Sequence, residues 1–121
     1  MSSWKVPEQA IQCRVTAIGR DWLIVLTGGD KESDHHIGAI STIYRDLETE
    51  EPQVMTQSIP GHKEHLLTED MAQEAAQVLN GNITIIAGVH FDHLKKEQIA
   101  AVVDASWQVF RSTLYKHLNH N

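Results

Sequence analysis

The sequence lacks the features that mark several functional classes. Cys13 is the one cysteine among 121 residues, so no internal disulfide can form and a reducing compartment is favoured. The longest apolar runs have five residues, as at residues 22–26, whereas a membrane-spanning helix needs about 20 apolar residues. The first residues carry no apolar segment of signal-peptide length. We therefore expect a cytoplasmic protein without a membrane partner.

Positive charge is also scarce. Ten Lys and Arg stand against sixteen Asp and Glu, which gives a formal net charge of −6. The longest basic run is Lys95-Lys96. Nucleic-acid-binding domains normally carry a strongly basic face. The composition therefore argues against a nucleic acid partner.

The remaining composition is that of a globular domain. Hydrophobic residues make up 41% of the chain and charged residues 21%, which is too apolar for a disordered chain. A chain of this length buries enough apolar surface to fold around its own core. We expect residues 1–121 to form a single domain.

The hydrophobic periodicity changes halfway along the chain. Residues 11–17 alternate apolar and polar, and residues 22–27 are apolar on both faces, typical of a central strand covered on both sides. The turn between them predicts an antiparallel hairpin. Two more strands, a helix with Thr68 as its N-cap, a fifth strand and a long last helix follow. The order β-β-β-β-α-β-α predicts an α+β domain, a mainly antiparallel sheet with two helices packed on it.

Glycine and histidine occur together at three predicted strand ends. Glycine at a strand end allows close approach of another backbone or a flat ligand, and histidine offers a proton, a hydrogen bond or a metal ligand. If the three segments converge, they form one pocket. Each segment alone is also consistent with an ordinary turn whose histidine faces solvent. The clusters are Gly28, Gly29, Asp30, His36 and Gly38, then Gly61, His62 and Lys63, and finally Gly88, His90 and Asp92.

Motifs for common catalytic chemistry are missing from the sequence. It contains no nucleophile elbow, Walker loop or dinucleotide fingerprint. Cys13 lies within a predicted strand, which favours a buried and unreactive thiol.

His90 stands two residues before Asp92 and three before His93, spacings that occur at metal sites. Imidazole with carboxylate suits zinc, iron or manganese better than calcium.

Four motifs, in this order, resemble the LpdD-like prenylated-flavin chaperones, named for the small D subunit of gallate decarboxylase systems. The resemblance extends from about residue 12 to residue 110. The motifs are Thr27-Gly28-Gly29-Asp30, His36-Ile37-Gly38-Ala39-Ile40, Pro60-Gly61-His62-Lys63-Glu64 and Ala87-Gly88-Val89-His90-Phe91-Asp92.

The resemblance implies a helper of UbiD-type decarboxylases. Those enzymes act on aromatic or unsaturated acids with prenylated flavin mononucleotide (FMN), which a UbiX-type prenyltransferase makes. The small protein would bind the prenylated FMN as cargo and carry it to the decarboxylase, or help to mature it there. It would be an accessory protein, without catalytic residues for the decarboxylation.

The same resemblance gives the clusters roles in flavin binding. Lys63 is the candidate for the phosphate, and Asp30 belongs to the same cofactor-binding set. His36, His62 and His90 belong to that set too, and would either hydrogen-bond the phosphate or bind a bridging metal. A divalent metal bound by these histidines and Asp92 would offset repulsion between a phosphate and this acidic chain. The glycines that would allow close approach to a ring or phosphate are Gly28, Gly29, Gly38, Gly61 and Gly88.

Two alternatives to a flavin carrier stay open. One is a small metal-dependent enzyme built on His36, His62, His90 and Asp92. The other is a purely structural subunit of a decarboxylase complex. In any of these roles we expect a homodimer, formed through the apolar last helix or an unpaired sheet edge.

Overall fold

A computed structural model describes residues 4–61 and 64–119. His62 and Lys63, two of the predicted site residues, lie outside the described residues. The class and element order are those predicted from the sequence, an α+β domain with two helices. The elements are β1 (Ile11–Ile18), β2 (Asp21–Gly29), a short 3-10 turn (Glu32–Asp34), β3 (Ala39–Arg45), β4 (Pro52–Ser58), α1 (His65–Ala76), β5 (Ile83–His90) and α2 (Lys96–Asn119).

Two hairpins and one inserted strand make the sheet. β1 pairs antiparallel with β2, as predicted, and β3 pairs antiparallel with β4. β5 lies between the hairpins, parallel to β2 and antiparallel to β3, so the spatial order is β1-β2-β5-β3-β4. The chain reaches this central position through α1, because a strand parallel to an earlier one needs a crossover connection.

Both helices pack on the same face of the sheet. Ile24 and Ile85 from the sheet, Met71 from α1 and Phe110 from α2 are fully buried in one core. Burying side chains of this size contributes about 1.5–3 kcal/mol each. Between the helices, the Arg111 guanidinium donates two hydrogen bonds of 2.9 Å to the carboxylate of Glu74.

The opposite face of the sheet carries no helix in the part of the chain that the structure describes. Its apolar side chains are half-buried or exposed and lie outside the core cluster. The central position predicted for residues 22–27 is confirmed, but helices cover these residues on one side. We call this surface the open sheet face. Its apolar and aromatic members are Ile18, Leu23, Val25, Ile40, Tyr44, Met55 and Ile86.

The predicted N-cap of α1 is wrong by one turn. The helix begins at His65 and Thr68 lies buried inside it. The Thr68 hydroxyl donates to the His65 carbonyl (3.3 Å) and accepts from the Ser41 hydroxyl of β3 (2.7 Å). A threonine hydroxyl suits an N-cap, but it also bonds carbonyls within a helix. The contact with Ser41 comes from tertiary packing, which periodicity does not reveal.

Candidate functional site

The first and the third cluster meet at one end of the sheet. β2 and β5 are parallel neighbours, so their last residues, Gly29 and His90, lie side by side. β3 begins beside them, at Ala39. Gly38, just before β3, lies against Glu64, the residue just before α1. The His36 and His90 rings lie 6.4 Å apart, centroid to centroid. We call this end, formed by Gly29, His36, Glu64 and His90, the histidine edge.

A buried carboxylate connects His36 to the end of β5. Glu64 is 9% exposed, and its Oε1 lies 3.2 Å from His36 Nε2 and accepts a 3.3 Å hydrogen bond from the Val89 N–H. His36 Nδ1 lies 3.0 Å from the carbonyl oxygen of Asp34. Both ring nitrogens of His36 therefore face oxygen acceptors, and a nitrogen that carries a proton donates a hydrogen bond to its partner.

Glu64 is a site residue that the sequence reasoning missed. It stands at the end of the Pro60–Glu64 motif, but a single glutamate among sixteen acidic residues carries no signal of burial. The signal lay in Gly38: a Cβ there would overlap the Glu64 carboxylate. A glycine in a strand-end motif marks a close approach, and here the approaching group is a side chain of the same protein.

His90 and the aspartates form a more exposed pair of contacts. His90 Nε2 and Asp92 Oδ1 are 2.9 Å apart, and both side chains are about half exposed. The Asp92 N–H donates a 2.9 Å hydrogen bond to Asp30 Oδ2, which ties the loop after β2 to the loop after β5. Asp92 therefore orients the His90 ring at the rim of the histidine edge.

Most of the predicted glycines are in contact with their own chain. A Cβ on Gly88 would overlap the His36 carbonyl oxygen, and Gly28 and Gly29 would meet Ile11 and Asp34 in the same way. These glycines let neighbouring segments pack against the strand ends. Gly61 differs, because the space its Cβ would occupy has no atom within 4 Å.

An apolar groove opens beside the histidine edge, between α1 and α2. Its volume is about 570 Å³, and Glu64, His90 and Gly61 border it at the histidine edge. Several of its apolar side chains are exposed, Leu66 by 64% and Ile99 by 51%. The apolar lining consists of Leu66, Leu67, Val89, Phe91, Leu94, Ile99, Val102, Val103 and Trp107.

The predicted metal ligands do not come together in the described chain. Within residues 4–61 and 64–119, no group of three or more His, Cys, Asp or Glu side chains could hold a metal ion. His36 Nε2 faces Glu64 and His90 Nε2 faces Asp92. His62 lies outside the described residues. The described residues therefore do not fit a metal centre.

Two further expectations concern the thiol and the membrane. Burial raises the pKa of the Cys13 thiol to about 11, although a hydrogen bond with Thr113 lowers it in part. The thiolate is therefore scarce at neutral pH, in keeping with the unreactive cysteine predicted from the sequence. Among the helices described here, none has the length and apolarity needed to cross a membrane.

Comparison with known proteins identifies the family. The profile of the family described as "Prenylated flavin chaperone LpdD-like domain" matches residues 5–118, nearly the whole chain. Protein LpdD of Lactiplantibacillus plantarum (strain ATCC BAA-793 / NCIMB 8826 / WCFS1) is 35% identical over 91 residues, which cover 75% of this chain and 65% of that relative. The match thus spans slightly less than two thirds of the relative's length. The resemblance seen in the four motifs is confirmed: the chain belongs to the family of prenylated flavin chaperone LpdD-like domains.

Proposed function

We propose that this protein binds prenylated FMN as cargo and carries it to, or helps to mature it for, a UbiD-type decarboxylase. The observation that carries the proposal is the apolar groove of about 570 Å³ that ends at the histidine edge. Together with the family, this groove supports a carrier of a large, partly apolar ligand.

The groove has the size and lining that a prenylated ring system needs. Pockets for small molecules commonly measure about 300–1,000 Å³, with mostly apolar walls and a few polar groups at one end. Trp107 supplies an aromatic wall, positioned by an edge-on contact with Phe110 and by the Arg111 guanidinium, which lies 4.6 Å from its ring centroid. The ring and its prenyl-derived atoms would occupy this part.

The polar part of the cargo would then lie at the histidine edge. In the proposal His90 donates a hydrogen bond to it from Nδ1, the ring nitrogen that does not face Asp92, and the His36 ring, held by Glu64, lies against it. The backbone at Gly61 leaves space for it, and Asp30 and Asp92 position the loops. His62 and Lys63, which directly follow Gly61 in the chain, are the proposed phosphate contacts. The segments that form the histidine edge pack closely because four positions have no side chain, namely Gly28, Gly29, Gly38 and Gly88. The proposal includes no metal ion.

A carrier must release what it binds. Leu66 and Ile99 remain exposed at the groove, so the cargo would keep one side accessible to the next protein. We propose a UbiX-type prenyltransferase as the source of the prenylated FMN and a UbiD-type decarboxylase as the acceptor, both in the cytoplasm. Residues 1–121 would act as one flavin-binding domain.

The test is retention of reduced prenylated FMN under anaerobic conditions. Wild-type protein should co-elute with the flavin in size exclusion, followed by absorbance. Val103 lines the groove and Val78, just after α1, does not, although each is 37% exposed. A carboxylate among the apolar side chains that would contact the ring should cost about 1.4 kcal/mol or more of binding free energy, so Val103→Glu should weaken retention by about tenfold or more. Val78→Glu should retain the flavin as the wild type does.

Two results would contradict the proposal. In the first, wild-type protein retains no flavin. In the second, Val103→Glu and Val78→Glu bind it equally well, which would place the cargo elsewhere. If the protein co-purifies with a decarboxylase but never retains flavin, the structural-subunit alternative replaces the carrier.

A further inference from the structure

The groove extends from the histidine edge to a second end between the two helices. Both helices begin near the histidine edge and run toward the opposite end of the sheet, where α1 leads into β5 and the His117 ring of α2 contacts Trp22 of β2. The last residues that the two helices contribute to the groove are Asp70 and Trp107. Together with Ser106 they form what we call the far end of the groove.

An ion pair joins the helices just beyond the far end. Glu74 and Arg111 each stand four positions after the last groove residue of their helix, which is about one turn or 6 Å. The guanidinium donates from two of its nitrogens to both oxygens of the carboxylate, each at 2.9 Å. The Arg111 Cζ atom also lies 4.6 Å from the Trp107 ring centroid, so the ion pair and the aromatic wall of the groove form one connected unit.

The exposure of this ion pair argues for a positional role. The Arg111 side chain is 53% exposed and that of Glu74 is 22% exposed, and ion pairs at the surface contribute little to folding stability. Two parallel hydrogen bonds fix the plane of a guanidinium, which a single contact does not. The pair therefore fixes the position of the cation that lies over the Trp107 ring.

The charges along the groove determine which part of the cargo would reach the far end. Asp70 places an exposed carboxylate there, which would repel a phosphate. His90 borders the other end, so the phosphate would lie at the histidine edge and the flavin ring would point toward Trp107. In prenylated FMN the added ring lies on the side of the flavin away from the chain that carries the phosphate. The added ring would therefore contact Trp107.

We infer that Trp107, held by Arg111 and Glu74, distinguishes the prenylated ring from unmodified FMN. The inference rests on the proposed function, because it requires the cargo to lie in the groove. Arg111 and Glu74 are positioning residues that act through Trp107. Unmodified FMN has the same phosphate but lacks the apolar atoms that would cover the indole. Each buried methylene group contributes about fourfold in affinity, so wild-type protein should bind prenylated FMN about 100-fold more tightly than FMN.

The test measures two ligands on the same protein. Reduced prenylated FMN and reduced FMN are each equilibrated with the protein by anaerobic dialysis, and flavin absorbance gives the two dissociation constants. The readout is their ratio. A substitution that only destabilises the fold weakens both ligands alike and leaves the ratio unchanged.

Three substitutions should lower the ratio. Trp107→Ala removes the aromatic wall and should lower it by about tenfold. Arg111→Gln and Glu74→Ala should each lower it by about two- to fivefold, the loss expected when a cation leaves an aromatic face. The double variant should lose no more than either single variant, because the two residues act as one unit. Lys116→Gln removes an exposed positive charge from the same helix and should keep the wild-type ratio.

The outcomes separate this inference from the proposed function. If the wild type retains prenylated FMN but binds FMN equally well, or if Trp107→Ala and Arg111→Gln keep the wild-type ratio, the inference is overturned and the carrier function stands. An equal loss of both ligands in these variants would overturn it as well, because it would show a general effect on the groove. If the wild type retains neither ligand, the proposed function fails, and the inference fails with it.

Discussion

The two ends of the sheet use carboxylates in different ways. At the histidine edge, Glu64 and Asp92 each contact an imidazole, that of His36 and that of His90. At the opposite end, which we call the turn end, the carboxylates accept hydrogen bonds from backbone N–H groups. Asp21 accepts from Asn82 (2.8 Å), and Asp46 accepts from Glu48 (2.8 Å) and Thr49 (3.0 Å).

The carboxylates of the turn end stabilise backbone turns, whereas those of the histidine edge orient histidines that can contact a ligand. A carboxylate that contacts no histidine and accepts backbone N–H groups, like Asp46, stabilises a turn. Glu64 also accepts a backbone N–H, from Val89, but it contacts a histidine as well. A carboxylate on a histidine sets the tautomer, charge and orientation of a ring that can still contact a ligand. Acidic residues and glycines alone do not distinguish the two ends, because both ends contain them.

The largest effect on stability should come from replacing a closely packed glycine at either end of the sheet. A Cβ at Gly88 would overlap the His36 carbonyl, and a Cβ at Gly81 of the turn end would overlap the Arg20 carbonyl. Gly88→Ala and Gly81→Ala should each lower the free energy of unfolding by about 3 kcal/mol, measured by urea denaturation. Gly19→Ala is the control, since its Cβ would meet nothing within 4 Å although its φ is +59°. An unchanged stability for Gly88→Ala would show that the His36 segment does not pack there.

The next prediction compares the loss of one carboxylate at each end, in stability and in flavin retention. Glu64→Ala leaves the Val89 N–H without this acceptor, and Asp21→Ala does the same to Asn82, so each should cost about 1–3 kcal/mol of stability. Only Glu64→Ala should also weaken flavin retention, because it releases the His36 ring. If both variants bind flavin equally well at temperatures where both are folded, the histidine edge is not the binding end.

A smaller effect concerns pH at the turn end. Hydrogen bonds from the backbone N–H groups of Thr49 and Glu48 lower the pKa of Asp46 below its ordinary value. A lowered folded-state pKa stabilises the protein above the unfolded-state pKa, and this contribution is lost as the pH falls through the folded-state pKa. Asp46→Asn should therefore reduce the acid-dependent fall in melting temperature. A melting temperature that falls equally with pH in both proteins would contradict the turn geometry.

The smallest effect concerns Cys13 on β1, away from both ends. Because burial raises the pKa of its thiol to about 11, it should react slowly with an aromatic disulfide reagent in the native protein at pH 8. Unfolding in urea should make it react at once, and the absorbance of the released thiolate measures both rates. Rapid labelling of the folded protein would show that β1 is less well covered by α2 than the structure indicates.

Much of the fold could be predicted from the sequence, and less of the site. Alternation over residues 11–17 and the turn after Ile18 predict the first hairpin, because both signals are local. The insertion of β5 between β2 and β3 could not be predicted, since alternation says which face a residue occupies and nothing about its neighbour. The same limit hid Glu64, whose burial depends on segments far away in the chain.

The sequence by itself determined the α+β class, the order of elements and the family, because periodicity and motifs are properties of neighbouring residues. Only the tertiary structure decided which strand lies in the centre, which carboxylate contacts His36, and that no helix among residues 4–61 and 64–119 covers the second face of the sheet. Those features depend on hydrogen bonds and packing between segments separated by dozens of residues. They are settled when the whole core assembles, not by any local stretch of chain.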